Sequence, residues 1–233
     1  MTDIVIVNGA RTAMGGFQGS LSGQTAPELG AATIKAALSR AGLQPNDVEE
    51  VIMGCVLSAG LKQGPARQAM RQAGIPDAAG AVTINKLCGS GMKAVMQAAD
   101  MIKAGSATVV IAGGMESMSN APYVLPKARA GYRMGHGEIK DHMFLDGLED
   151  AETSRLMGSF AQDMANSKGY TREQMDDFAI RSLKRAQTAI TEGYFADEIV
   201  PVTVSTRKGD VIVDKDEQPF NANIDKIPTL RPA

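Results

Sequence analysis

The 233-residue chain has no tryptophan, only two cysteines and two histidines, and just 4% aromatic residues. Two cysteines cannot form a disulfide framework, and their scarcity points to a reducing compartment, where a thiol survives as a reactive or buried group. No apolar run reaches membrane-spanning length. The opening Met1-Thr2-Asp3-Ile4-Val5-Ile6-Val7 carries an acid where a secretory signal needs a basic region. Together these readings imply a cytoplasmic protein. With 24 Lys+Arg against 26 Asp+Glu there is no global basic field, which argues against nucleic acid as the main ligand. No Cys/His grouping has metal-site spacing, and no glycine-rich phosphate loop follows a strand pattern.

What is present describes a globular protein, 44% apolar and 21% charged. A chain of this length buries about 70% of its unfolded surface, enough for one large or two modest domains. Residues 1–118 alternate short apolar runs with helical patterns. Strands are predicted at Asp3–Asn8, Val51–Leu57, Ala81–Asn85 and Thr108–Ala112. Helices are predicted at Pro27–Ala41, Pro65–Ala73 and Cys88–Ala104, the last capped by Gly105. Strands alternating with helices imply an α/β fold with a mostly parallel sheet covered on both faces.

Beyond residue 118 the texture changes. Ser119–Glu152 reads as a long irregular stretch that holds both histidines, and such stretches are usually functional. Helices follow at Ser154–Ser167 and after the capping-box pattern Thr171-Arg172-Glu173-Gln174, running to Thr191. Ile199–Ser205 and Val211–Val213 then predict a hairpin around Arg207-Lys208-Gly209-Asp210. No repeat of fixed period occurs.

The sharpest local feature is Asn85-Lys86-Leu87-Cys88-Gly89-Ser90-Gly91-Met92-Lys93, where a strand gives way to a helix at a cysteine. A thiol there meets the positive end of the helix dipole, which favours the nucleophilic thiolate. Gly89 and Gly91 leave room for an acyl group on the sulfur, and the amides that follow can stabilise an oxyanion. The same spacing also fits a buried structural cysteine. Cys55, on a strand, reads as a small buried apolar residue. His136 and His142 read as surface or loop-anchoring residues. Fourteen methionines, among them Met115, Met118, Met134 and Met157 near the candidate site, read as core filler rather than metal or redox groups.

Three long motifs stand out: Asn85–Val95, the run Gly113-Gly114-Met115-Glu116-Ser117-Met118-Ser119-Asn120-Ala121-Pro122-Tyr123, and Val7-Asn8-Gly9-Ala10-Arg11-Thr12. Together they resemble the thiolase family, and within it the acetyl-CoA C-acetyltransferases. Asp146-Gly147-Leu148, Met157-Gly158 and Glu198-Ile199-Val200-Pro201-Val202 add to the match, which covers residues 4–233. The resemblance implies a βαβαβαββ core domain, here incomplete (1–118), an inserted α+β loop domain (119–228), and the start of a return to the core (229–233). It implies that Cys88 takes an acyl group from acyl-CoA and passes it to a second acetyl-CoA, or in reverse to CoA, by ping-pong covalent catalysis. Leu148 and Met157 match residues lining the substrate pocket, with core packing the other reading of Leu148. Arg207 and Lys208 can meet CoA phosphates, or form a solvated hairpin tip. Coenzyme A is then substrate and product rather than a resident cofactor. A homodimer or dimer of dimers, paired through Ala81–Asn85 with Gln63–Gln68 reaching the partner, is also implied.

The sequence departs from the family at Leu156, where many relatives carry His, and at Lys62 and Gly64, where Gly and Asn are usual. The family's Gly-His-Pro, second-cysteine and Asn-Glu segments do not occur in it. The expectation is therefore a piece of a longer thiolase, inactive in turnover by itself. The alternative is a non-catalytic thiolase-like polypeptide that binds CoA or pairs with other thiolase chains.

Overall fold

The computed structural model describes residues 3–232. Its centre is a parallel sheet of β2 (Glu50–Gly54), β3 (Gly80–Ile84) and β4 (Val110–Gly114), in the order β3-β2-β4. In β2, Val51 and Met53 point to one face and Ile52 to the other, all buried. That explains why the strand is a continuous apolar run rather than an alternating one.

Helices α1 (Ala26–Ala41) and α2 (Pro65–Gln72) cover the first face, contributing Ile34, Leu38, Ala66 and Met70 to the main core. Helix α3 (Ser90–Ala104) covers the second, with Ala94 and Ala98 against Ile52. The helix ends follow local chemistry. Thr25 and Glu28 close a reciprocal capping box at the start of α1, and Gly105 ends α3 in the left-handed region at φ 75°. A parallel sheet with helices on both faces is the α/β arrangement expected from the sequence.

The expected first strand is not formed. Asp3–Asn8 makes no ladder, and Val5, Ile6 and Val7 are exposed. The run has the right residues and shares the walls of a cavity with residues 109–112 at the free edge of β4, but no ladder bond crosses that gap. Chain pairing begins later, at β1 (Arg11–Thr12), which lies parallel to β7 (Ile199–Val200).

Beyond β4, the stretch expected to be irregular contains a two-residue pairing of β5 (Tyr123–Val124) with β6 (Lys140–Asp141) and a π-helical turn at Phe144–Leu148. Helices α4 (Met157–Ser167) and α5 (Arg172–Thr191) follow, the latter opened by the predicted capping box at Thr171 and Gln174. The predicted hairpin is β8 (Val202–Thr206) with β9 (Gly209–Val213). Val202, Val204 and Val213 of the hairpin form a second small core with Ala13 and Leu21. Arg11 ties the two regions together, binding the buried Asp216 through both terminal nitrogens at 2.7 and 3.0 Å.

Candidate active site

Between β3 and α3 the chain turns through five residues, and that turn is held by side chains within it. Asn85 Oδ1 accepts the Leu87 amide at 2.9 Å. Ser90 Oγ accepts the Lys86 amide at 2.8 Å and donates to the Leu87 carbonyl at 2.6 Å. Leu87 sits in the left-handed region at φ 49°, which costs a branched side chain about 1–2 kcal/mol. The result is an elbow that leaves Cys88 exposed just ahead of the helix.

The helix start is seated on the ends of the strands because glycine occupies each contact. A Cβ added to Gly54 would lie 2.5 Å from Ser90 Cβ and 2.9 Å from the Ser90 carbonyl carbon. Gly114 also lies against the Gly91 backbone, but there a Cβ would meet Gly91 Cα at 3.5 Å, an ordinary contact, so the close fit rests on Gly54. Cys88 therefore stands at the carboxyl edge of the parallel strands, the usual ligand edge of such sheets.

Below the thiol is an open cavity of about 500 Å³ whose walls include Leu57, Met115, Glu116, Gly147 and Leu148 as well as Cys88. Among the described residues, Glu116 is the only ionisable one besides Cys88 in the lining. Its carboxylate accepts the Val56 amide at 2.8 Å and the Leu57 amide at 3.0 Å, and receives the Cys55 thiol at 3.6 Å. Burial, then the adjacent Glu116 charge and its hydrogen bond, push the Cys55 thiol up to about 12. Cys55 is thus the buried, inert cysteine that the sequence suggested.

The oxyanion expectation needs correcting in part. The amides of Gly89 and Ser90 already donate to the carbonyls of Lys86 and Leu87, at 3.1 and 3.0 Å. Those carbonyls close the elbow, so the two amides are committed to the turn. Among the described residues, the Cys88 and Gly91 amides have no such acceptor.

The structure brings Leu148 and Cys88 to one cavity. It does not bring Met157, Arg207 or Lys208 to that cavity wall. Met157 is 45% exposed at the first turn of α4, beside Leu156, which bridges to Glu149. Arg207 and Lys208 form the exposed tip of the β8–β9 hairpin. Met115 and Met118 line the cavity, whereas Met134 is 96% exposed and outside it. His136 is exposed, but His142 is buried, which removes the surface reading for that residue. Glu116 and His142 were not assigned to the site from sequence. Only their position within or beside the Gly113–Tyr123 and Asp146–Leu148 motifs could have pointed to them. Among the described residues, no group of three or more His, Cys, Asp or Glu side chains could hold a metal ion, and no helix is long and apolar enough to cross a membrane.

Fold and site together define an α/β protein that presents a cysteine thiol on a strand–turn–helix elbow at the carboxyl edge of a parallel sheet. The family model described as "Thiolase, N-terminal domain" matches residues 4–233. The chain belongs to the thiolase family. It is 52% identical to a protein named acetyl-CoA acetyltransferase from Cupriavidus necator and 50% identical to one from Pseudomonas aeruginosa, in each case over 100% of this chain. An Escherichia coli protein of the same name is 48% identical, again over 100% of this chain. The chain spans about 60% of the length of these three relatives.

Proposed function

We propose that this chain carries the acyl-accepting thiol of an acetyl-CoA acetyltransferase, with Cys88 as the nucleophile. Cys88 Sγ attacks the thioester carbonyl of acetyl-CoA. A sulfur–carbon bond forms, the bond to the CoA sulfur breaks, and the thiol proton leaves with CoA. A carbon–carbon bond then forms between the acetyl carbonyl carbon and the methyl carbon of a second acetyl-CoA, the acetyl–Sγ bond and one methyl C–H bond break, and the released proton restores the Cys88 thiol, giving acetoacetyl-CoA; in reverse the same steps are thiolysis. Coenzyme A enters and leaves as substrate and product. The observation that carries this reading is the exposed thiol on the elbow at the mouth of a cavity of about 500 Å³.

Leu148 is read as the apolar wall of the acyl pocket, and the uncommitted Cys88 amide as a donor to the developing oxyanion. Met157 is assigned to the pantetheine path outside the cavity, because the Glu149–Leu156 bridge sets it beside the end of the Leu148 turn. At Arg207 and Lys208 the exposed tip favours the solvated reading over a phosphate contact. Residues 119–228 are read as the loop domain and residues 1–118 as the core.

The lining offers no spare base, since both Glu116 oxygens are already engaged by amides and the Cys55 thiol. This chain by itself is therefore expected to take up one acetyl group slowly and not to turn over. The reading extends to a dimer, or dimer of dimers, in the cytoplasm. In its support, β3 is an edge strand of the sheet and Val82 on it is 42% exposed.

The test is intact-mass spectrometry of the chain before and after acetyl-CoA, with peptide mapping. One acetyl group on Cys88, absent in Cys88→Ser, is the expected result. Labelling elsewhere, or equal labelling of the variant, would overturn the assignment.

A further inference from the structure

His142 lies behind the cavity wall, 6% exposed, and its two ring nitrogens are both engaged. Nδ1 is 2.6 Å from Asp146 Oδ2, and Nε2 is 3.4 Å from the Ala59 backbone nitrogen. A carboxylate only accepts, so Nδ1 carries the ring proton. Nε2 is left bare and accepts the Ala59 N–H. The ring thus fastens two segments that, among the described residues, share no other polar side-chain contact. One is the 55–59 stretch leaving β2, which includes the cavity-lining Val56 and Leu57. The other is the π turn Phe144–Leu148, which includes the cavity-lining Gly147 and Leu148.

The two segments are also in apolar contact at the cavity. A Cβ added to Gly147 would lie 3.3 Å from Leu57 Cδ2, so Leu57 rests directly on that glycine. The far end of the 55–59 stretch is held separately by Glu116, through the Val56 and Leu57 amides. His142 itself is anchored by its backbone amide, which donates to the Pro122 carbonyl at 3.1 Å. A buried imidazole costs more to desolvate than an aromatic ring of similar size, so its two polar contacts must account for its presence. π turns of this kind occur often where a side chain has to be re-aimed at a site.

We propose that His142 is a positioning residue that fixes the width of the pocket beside Cys88, by holding the Leu57 wall and the Leu148 wall at a set separation through Ala59 and Asp146. It touches neither the thiol nor the cavity. Resting on the acyl-transfer reading above, the inference makes the pair a determinant of acyl-chain size, with short chains favoured while the wall is held closed.

The test uses the whole chain as wild type, His142→Phe, His142→Gln and Asp146→Ala. Three readouts are taken. The first is 15N NMR of the His142 ring. The second is amide hydrogen exchange at Ala59. The third is the ratio of alkylation rates at Cys88 for N-ethylmaleimide and N-benzylmaleimide. Wild type should show the Nδ1–H tautomer. His142→Phe, which fills the space without the acceptor, should speed Ala59 exchange about tenfold. It should also shift the alkylation ratio at least about threefold toward the bulkier reagent.

Asp146→Ala, at a half-exposed position, should move both the same way. His142→Gln, which restores an acceptor for Ala59, should recover most of the wild-type ratio. An Nε2–H tautomer, or an unchanged alkylation ratio in Asp146→Ala, would overturn the proposal. Failure of acetyl-CoA to label Cys88 while the maleimide ratio shifts would sink the acyl-transfer reading and leave the clamp standing.

Discussion

Ser90 reaches back across the elbow to Lys86, its hydroxyl oxygen 2.8 Å from the Lys86 amide, so the first residue of a helix holds the turn that precedes it. The same hydroxyl donates to Leu87, the residue in left-handed backbone. One side chain therefore offsets the strain that presents Cys88. Ser90→Ala should leave the Lys86 amide without its acceptor and destabilise the chain by about 1–3 kcal/mol. Cys88 should then react more slowly with acetyl-CoA, because the elbow can relax. Urea unfolding and the intact-mass assay on the same variant check both parts.

The packing of α3 on the strand ends predicts the effect of a single methyl group. Gly54→Ala would place a carbon 2.9 Å from the Ser90 carbonyl carbon and 3.0 Å from the Gly91 nitrogen, both backbone atoms that cannot swing aside. The expected cost is about 1–3 kcal/mol, with the helix start displaced away from the sheet. A Gly42→Ala control tests the other glycine mechanism. Nothing lies within 4 Å there, so any loss comes from its φ of +68° alone.

Much of this was legible in the sequence, and the gaps have identifiable causes. Thr171 marks its helix because capping is local chemistry, whereas the first helix is read from Pro27 although an equally local box stands at Thr25 and Glu28. Cys88 stood out because strand, glycines and helix follow one another within a few residues. Asp3–Asn8 reads as a strand yet joins no ladder, because β-branched residues report suitability for a strand, whereas pairing depends on a neighbour far along the chain. His142 and Glu116 escaped notice for a related reason. Their partners, Ala59 and Leu57, are 83 and 59 residues away, and no periodicity encodes such contacts.

Cys55 should impose a pH dependence on stability at the alkaline end. Its folded-state value is raised to about 12 from an ordinary 9.0, so between those values the folded state holds a proton that the unfolded state has lost. Stability should fall as pH rises through that window, by at most about 1.4 kcal/mol per pH unit. Urea midpoints for wild type and Cys55→Val at pH 8 and pH 10 check this. Cys55→Val should remove most of the extra decline, while at pH 7 iodoacetamide should label Cys88 and spare Cys55.

Asp216 governs the acidic end. Burial alone would raise its carboxyl, but the hydrogen bond from Arg11, the Met14 amide and the Arg11 charge outweigh it and hold the group below its ordinary 3.8. A depressed folded value means this contribution is in place above about pH 4 and is lost as the pH falls below it. Asp216→Ala should cost about 2–4 kcal/mol, less than a fully buried pair, because Arg11 is partly exposed and keeps Glu198 as a second partner. Thermal melts at pH 7 and pH 3 should show the wild type converging on the variant as acid is added.

Arg11 also bears on the order in which the chain can assemble. Its partners Glu198 and Asp216 lie 187 and 205 residues downstream, and β1 has no strand to join until β7 exists. The sheet and its three helices need nothing beyond Glu116 and can condense while the rest is still being made. The Arg11–Thr12 segment must wait until residues 198–216 have emerged from the ribosome. The Val5-Ile6-Val7 run just ahead of it stays exposed even after that pairing forms, so its accessibility to a partner or chaperone does not end with synthesis.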